Sequence, residues 1–196
     1  MTSSEIKDID SALNFLQMLL FKILLITDGR TTDILETLMD ESMSVQVLRQ
    51  EQIDKEQQAY PGGDSGAPFY LRESILIGVK SKFVVSHNIA LVSSKHVPSV
   101  MFEAIAAKQE GIGKTISTFG LQTSRKIVDY GWRSDDETVD LFQQPLKLYF
   151  STMKNDRTPY KTYSIDFGSY SGIYLLEYFN PNMIAYRLKQ VLSENV

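Results

Sequence analysis

Three charged side chains stand inside apolar segments of the chain, and they are its best candidates for chemistry. Arg72 lies in YLRESILIG, His87 in VVSHNIAL and Glu177 in IYLLEYFNP. Side chains of a strand alternate between its two faces, so Arg72 shares a face with Tyr70 and Leu76. Apolar residues on both faces indicate a strand that is covered on both sides. Arg72 is therefore expected to be partly buried and to need a partner.

Glu177 shares its predicted strand face with Leu175 and Phe179. A carboxylate buried there without a partner would be costly or would become protonated, so a hydrogen-bond donor is expected nearby. Two structural alternatives stay open: Arg72 and Glu177 pair with each other, or Glu177 lies on the wet side of a half-exposed sheet. For His87 the alternative is a structural histidine with satisfied ring nitrogens.

The segment GDSGAP at 63–68 resembles the nucleophile loop of trypsin-like serine proteases. That chemistry needs a serine activated by a histidine, which an aspartate holds. Both histidines, His87 and His96, follow Ser65, whereas those proteases place the histidine far upstream of the serine. We therefore interpret 63–68 as a turn rich in Gly and Asp.

The segment GIGKT at 111–115 resembles the end of a phosphate-binding P-loop. A P-loop needs a glycine five positions before Gly113, so that backbone amides can surround a phosphate. Lys108 occupies that position, and the preceding segment has the pattern of a helix. The sequence therefore does not predict a nucleoside triphosphatase.

The inventory of ligating residues predicts neither a metal site nor a cofactor. The chain has no pair of histidines four residues apart, no cluster of His, Asp and Glu at ligand spacing, and no dinucleotide fingerprint. It also has no cysteine, which excludes disulfides and thiolate chemistry.

Size and composition describe one soluble globular domain over residues 1–196, with 43% hydrophobic residues, 22% charged residues and a net charge of -4. Mild acidity gives no electrostatic footprint for nucleic acid. The most apolar stretch, 16–26, contains Lys22 and is about half as long as the roughly 20 residues of a membrane span. The acidic residues before it do not fit a signal peptide. We expect a cytoplasmic protein without nucleic-acid or membrane partners.

Hydrophobic periodicity predicts an α+β fold, in which one antiparallel sheet carries packed helices. An acidic surface excursion is expected at 133–145. The strands 70–78 and 82–92 are expected to form a hairpin near Lys80 and Ser81. The predicted helices cover 11–25, a short segment after Gly29, 97–110 and 183–192; the predicted strands cover 43–53, 70–78, 82–92, 146–153, 160–167 and 172–180.

Four segments in this order resemble the chorismate lyase family, with its divergent archaeal and bacterial relatives: LLITDGRTTDILETL...VQVLRQ, FYLRESILIG, GIGKTIS...TSRKIVDYG and LLEYFNP. The resemblance spans about residues 20–182. It implies a single antiparallel sheet that encloses its ligand under helical flaps. It also implies a cofactor-independent carbon-oxygen lyase that converts chorismate to 4-hydroxybenzoate and pyruvate.

The resemblance also implies roles for individual residues. Arg72 matches the arginine that holds the ring carboxylate, a task that suits its planar guanidinium. Ile112 matches an apolar residue whose backbone N-H contacts the same carboxylate, and Gly113 matches the glycine that follows it. Glu177 matches the glutamate that accepts a hydrogen bond from the ring hydroxyl. Arg72 and Glu177 would then catalyse the reaction by positioning and electrostatics.

Three features depart from that family. Its second arginine matches His87, which is shorter and only partly charged near neutral pH. Arg30 replaces a usually apolar residue at the ligand and is a candidate to compensate. The chain is also longer between Trp132 and about Asn155, where the insertion would alter a flap or bind a partner.

Two functions follow from the resemblance. The first is a chorismate lyase, or a variant that acts on a related cyclic enol-ether acid. The alternative is a non-enzymatic domain that binds a small carboxylate, like the effector-sensing domains of certain bacterial transcription regulators. Those regulators carry a DNA-binding helix-turn-helix domain, and only about 20 residues precede the resemblance, so the enzyme is the prediction. A monomer or small homo-oligomer is expected.

Overall fold

The structure is a computed structural model that describes residues 3–53, 69–107, 111–151 and 157–194. The GDSGAP segment at 63–68 lies outside the described residues. Within them the helices are α1 (Ser3–Ile26), α2 (Thr31–Met39), α3 (Ser99–Ala106), α4 (Ile112–Thr118) and α5 (Met183–Glu194). The strands are β1 (Met43–Ile53), β2 (Phe69–Gly78), β3 (Val84–Ser93), β4 (Ser124–Arg133), β5 (Thr158–Phe167) and β6 (Tyr170–Phe179).

The six strands form one antiparallel sheet in the order β1-β2-β3-β6-β5-β4. The predicted α+β fold with a single antiparallel sheet is therefore confirmed, as is the hairpin of β2 and β3. No helix in the described part of the chain is long and apolar enough to cross a membrane.

All five helices lie on one side of the sheet, which we call the helical face. They form two apolar clusters with the strand residues below them. In one cluster, Met101 and Ile105 of α3 and Ile116 of α4 pack on Ala90 and Leu175. The other cluster joins α1, α2 and α5 to the opposite end of the strands, and its buried members are Phe21, Leu24, Leu25, Leu35, Met39, Leu76, Val85, Phe179 and Met183.

The other side of the sheet is covered by residues 134–151, which include most of the predicted excursion 133–145 and the first part of the predicted strand 146–153. Its apolar side chains pack on the third cluster, which includes Leu71, Ile89 and Leu176. The Tyr178 hydroxyl fixes this cover, because it donates to the carbonyl of Val139 at 2.7 Å and accepts the N-H of the same residue at 3.1 Å. The cover therefore lies away from the helical face and does not form a flap there.

Two parts of the predicted sheet are wrong. The segment 146–151 forms no strand, although Leu146, Leu148 and Phe150 alternate as in a strand; these side chains pack on the sheet without pairing to it. Residues 152 and 153 lie outside the described residues. The sixth strand is instead β4, an edge strand whose largely exposed residues give a weak apolar alternation.

The Tyr178 hydroxyl provides a test of how the cover is held. Tyr178 is fully buried and also accepts a hydrogen bond from Arg133 at 2.6 Å. Tyr178→Phe leaves these partners without their hydrogen bonds, so it should lower the free energy of unfolding by about 1–3 kcal/mol in urea denaturation. Tyr130→Phe, at a residue that is 51% exposed, is the matched control and should change stability little. Equal losses in the two variants would contradict this role.

Candidate functional site

A cavity of about 330 Å³ opens between the two helical clusters, above the middle of the sheet. Its floor consists of side chains from β2, β3, β5 and β6 on the helical face. Its walls come from α2, the start of β1 and the beginning of α4. The polar lining residues include Arg30, Thr31, Asp33, Glu36, Arg72, Ser74, Asn88, Lys114, Arg125, Tyr163 and Glu177.

Arg72 lies in the floor of this cavity and is only 2% exposed. Its Nη1 donates to the carbonyl oxygen of Ile105 at 3.3 Å, in the last turn of α3. Carbonyls at a helix C-terminus carry partial negative charge, which favours a cation there. Burial lowers the pKa of Arg72 from its ordinary value, yet a guanidinium stays charged in a protein. The sheet therefore presents a fixed positive charge to the cavity.

A row of polar side chains crosses the helical face beside Arg72. The strand register pairs Ser74 with Asn88, Asn88 with Glu177, and Glu177 with Lys161. All four are on the same face because they are cross-strand partners of one another. Arg72 pairs with Ala90 one pleat away on the same face, so Arg72 and Glu177 both line the cavity.

Glu177 has donors close to one side of its carboxylate. The Tyr163 hydroxyl donates to it, and burial together with this carboxylate raises the pKa of Tyr163 well above its ordinary value. Lys161 Nζ lies 3.8 Å from Glu177 Oε2, which makes an ion pair but not a hydrogen bond. Within the described residues Glu177 Oε2 and Asn88 Oδ1 are buried without a hydrogen-bond donor. Two acceptors of the floor are therefore ready for donors from a ligand.

Lys161 connects this floor to the helices. It is 1% exposed, and its Nζ donates to Thr31 Oγ1 at 2.8 Å and to the carbonyl of Leu24 at 3.2 Å. A third acceptor is the carbonyl of Thr27 at 3.4 Å. Desolvation lowers the pKa of Lys161, and the nearby Glu177 opposes that shift. The Lys161 ammonium therefore contacts the end of α1 and the start of α2 and lies beside Glu177 of β6.

Further cations stand around the cavity. Arg30 is at its rim and makes an ion pair with Asp33 at 3.1 Å, with both side chains about half exposed. Lys114 and Arg125 also line the cavity. Arg125 Nε is buried, and no acceptor for it lies within the described part of the chain. The lining of the cavity therefore carries several positive charges besides Arg72.

Ile112 and Gly113, two of the predicted site residues, form the first turn of α4 at the cavity wall. The first N-H groups of a helix have no acceptor within the helix. A Cβ added at Gly113 would meet no atom within 4 Å, whereas one at Gly111 would lie 2.8 Å from Val45 Cγ2. There is therefore space for a side chain at position 113.

The structure does not bring His87 to the cavity. His87 is on the opposite side of the sheet, where its Nε2 lies 2.9 Å from Glu73 Oε1. Its Nδ1 accepts the backbone N-H of Tyr149 at 3.3 Å, so the ring also holds the cover. Strand alternation explains this placement, because His87 and Asn88 are consecutive and point to opposite faces. The residue available to the ligand at this point is Asn88.

Sequence reasoning missed Asn88, Lys161 and Arg125. Lys161 carried the same signal as Glu177, since it is a charged residue within the apolar strand YKTYSIDF. Asn88 could be identified only once it was known which residues of β3 face the helices. Arg125 could be identified only once residues 124–133 were recognised as a strand. Among the described residues no group of three or more potential metal ligands comes together.

Several solved structures are similar to the structure of this chain. PhnF from Mycobacterium smegmatis matches 81% of this chain and 67% of its own, with a TM-score of 0.52 and 13% identity. A GntR-family transcriptional regulator from Bacillus cereus matches 71% of this chain and 92% of its own, with a TM-score of 0.45 and 14% identity. The ligand-binding domain of a protein assigned to the same regulator family, from Bordetella bronchiseptica, matches 70% and 82%, with a TM-score of 0.43 and 10% identity.

The match to PhnF shows a shared fold. No family model matches the sequence, and no curated protein matches it either. The predicted carbon-oxygen lyase, with its 4-hydroxybenzoate and pyruvate products, is wrong, since the structure that shares this fold is PhnF and not a lyase. The geometry agrees, since the position matched to the second substrate-binding arginine is His87, behind the sheet.

His87 gives a prediction about pH. Desolvation lowers the pKa of His87 below its ordinary 6.5, against the opposing effect of Glu73. The unfolded chain then binds more protons than the folded chain below about pH 6.5, so this contribution to stability is full above pH 7 and declines as the pH falls below 6.5. Urea unfolding between pH 5 and 7.5 should show the decline in the wild type.

His87→Gln should flatten that dependence, because glutamine does not titrate. His96→Gln, at the other histidine, is the matched control and should keep it. A dependence that survives in His87→Gln and disappears in His96→Gln would contradict the assignment.

Proposed function

We propose that this chain is a non-catalytic ligand-binding domain whose cavity takes a small carboxylate that also carries a hydrogen-bond donor. The observation that carries the proposal is the buried Arg72 in the floor of a cavity beside two acceptors that lack donors. The described role of the Bordetella structure as a ligand-binding domain agrees with it. The ligand would act as an effector, whose binding the protein senses.

The anionic end of the ligand belongs at Arg72. A guanidinium binds a carboxylate through two parallel hydrogen bonds, and such charge-assisted bonds are strong where water is excluded. Lys114 at the start of α4 also lines the cavity and adds positive charge to it. Ile112 and Gly113 begin α4 at the cavity wall, and their backbone N-H groups, which have no acceptor within the helix, would donate to the same carboxylate.

The donor end of the ligand belongs at Glu177 and Asn88. Glu177 Oε2 and Asn88 Oδ1 are buried without a hydrogen-bond donor among the described residues, which is unfavourable in free energy. A hydroxyl or amino group of the ligand would supply the missing donor. The Tyr163 hydroxyl and Lys161 hold the Glu177 carboxylate in place. A ligand with both groups would therefore bind Arg72 at one end and supply donors to these two acceptors at the other.

The volume sets the size of the ligand. A cavity of about 330 Å³ lies near the lower end of small-molecule sites, and an apolar cavity of about 150 Å³ already holds benzene. Leu35, Leu76 and Leu175 supply apolar walls between the polar ends. A single ring or a short chain with polar substituents fits this volume.

Three related probes separate the two ends of the site. 4-Hydroxybenzoate carries both groups, benzoate only the carboxylate and phenol only the hydroxyl. Isothermal titration should rank their affinities in that order. Arg72→Ala should weaken both acids by roughly 10- to 100-fold, since a hydrogen bond to a charged group contributes about 1.5–3 kcal/mol. Arg49→Ala, at an exposed arginine of β1, should leave the affinities unchanged.

Glu177→Gln tests the other end of the same ligand. It should weaken 4-hydroxybenzoate by about tenfold and leave benzoate unchanged, because only the former has a hydroxyl for the carboxylate. Binding of phenol as tight as that of the acids, or loss of benzoate in Glu177→Gln, would contradict the proposed orientation.

Gly113→Leu tests the location of the site independently of its charges. The added side chain meets open space, so the melting temperature should stay within about 3 °C of the wild type while binding of all three probes is lost. Retained binding in this variant would contradict the assignment of the cavity.

A further inference from the structure

The carboxylate of Glu177 in the cavity floor has a positive charge of the protein beside it. Lys161 Nζ lies 3.8 Å from Glu177 Oε2, and the two residues are cross-strand partners on β5 and β6. Lys161 is 1% exposed, so water and salt screen its charge from the carboxylate only weakly. The negative charge at this end of the cavity is therefore largely balanced before any ligand binds.

The Lys161 ammonium gives all of its hydrogen bonds to other acceptors. An ammonium has three N-H donors, and three acceptors surround Nζ: Thr31 Oγ1 at 2.8 Å, the carbonyl of Leu24 at 3.2 Å and the carbonyl of Thr27 at 3.4 Å. A neutral amine has only two N-H donors, so these three acceptors also favour the charged form. Glu177 Oε2 accordingly lies close to the Lys161 charge but accepts no hydrogen bond from it.

This combination distinguishes two kinds of ligand donor. A hydroxyl supplies the hydrogen bond that Glu177 Oε2 lacks in the described part of the chain, and it adds no charge to the floor. A ligand ammonium at hydrogen-bond distance from the same oxygen would lie within about 7 Å of Lys161 Nζ. Two positive charges so close together repel each other strongly where water is excluded. This repulsion opposes the attraction of the ammonium to Glu177.

The other charges near the floor do not cancel this repulsion. Arg125 lines the same cavity and adds a further positive charge to it. Asp28 also attracts the Lys161 ammonium, but it is exposed, and water screens its charge. The acidic residues of α2 in the lining, Asp33 and Glu36, already have partners, an arginine at the rim and a backbone N-H of β1.

We propose that Lys161 makes this cavity select acids whose donor group is uncharged, such as hydroxy acids, over acids whose donor is an ammonium group, such as amino acids. The inference rests on the proposed function, because it concerns the donor end of the same site. Lys161 acts through its charge on Glu177. Its effect therefore appears in the ratio of two ligand affinities, which a purely structural role of Lys161 would not change.

Two acids of nearly equal size test this selectivity by isothermal titration. The donor of 4-(hydroxymethyl)benzoate is neutral, whereas the amine of 4-(aminomethyl)benzoate is protonated at pH 7. The wild type should bind the hydroxymethyl acid at least about tenfold more tightly, and Lys161→Met should reduce this preference to less than about threefold. Lys126→Met, at an exposed lysine of edge strand β4, is the matched control and should keep the preference.

Glu177→Gln provides a second measurement that does not depend on how Lys161→Met folds. It removes the negative charge and keeps that of Lys161, so it should weaken the aminomethyl acid more than the hydroxymethyl acid. The preference should therefore change in opposite directions in the two variants. Circular dichroism shows whether each variant keeps its fold.

Equal binding of the two acids by the wild type, or tighter binding of the aminomethyl acid, would overturn this inference and leave the proposed cavity in place. An unchanged preference in folded Lys161→Met or in Glu177→Gln would overturn it too. Binding of benzoate but of neither substituted acid would have the same consequence, because the floor would then accept no donor. If benzoate and 4-hydroxybenzoate do not bind either, the proposed function fails and this inference fails with it.

Discussion

A buried positive charge in the middle of the sheet constrains the rest of this structure. Arg72 cannot release its proton, so the fold has to surround it with acceptors or leave it facing a place where an anion binds. The last turn of α3 supplies one acceptor, the carbonyl of Ile105. The two helical clusters then separate above Arg72 and leave a cavity instead of closing into one core.

A second buried cation links this cavity to the arrangement of the helices. Lys161 binds the carbonyls at the end of α1 and the hydroxyl of Thr31 at the start of α2, while its charge is near Glu177. A ligand that donates to Glu177 changes the electrostatic surroundings of this ammonium. The site is therefore connected through one side chain to the end of α1 and the start of α2.

Much of the fold was predictable because apolar periodicity is local. The α+β class, the β2-β3 hairpin and the strand faces of Arg72 and Glu177 follow from alternation along single segments. The register between strands is not local, so the row from Ser74 to Lys161 could not be foreseen. Apolar and polar residues alternate too weakly in edge strand β4 for a strand to be predicted there. Apolar residues alternate in 146–151 because this segment packs on the sheet, although it is not a strand of it. The activity inferred from segment order was wrong, since a fold is shared by proteins with different functions.

We propose that Arg72 and Glu177 bind opposite ends of one small acid in this cavity. A crystal structure of the protein grown with 4-hydroxybenzoate would show this directly. We expect the carboxylate within hydrogen-bond distance of the Arg72 guanidinium and the hydroxyl within reach of Glu177 Oε2. An empty cavity at saturating ligand, or an acid bound on the other side of the sheet beside His87, would contradict it.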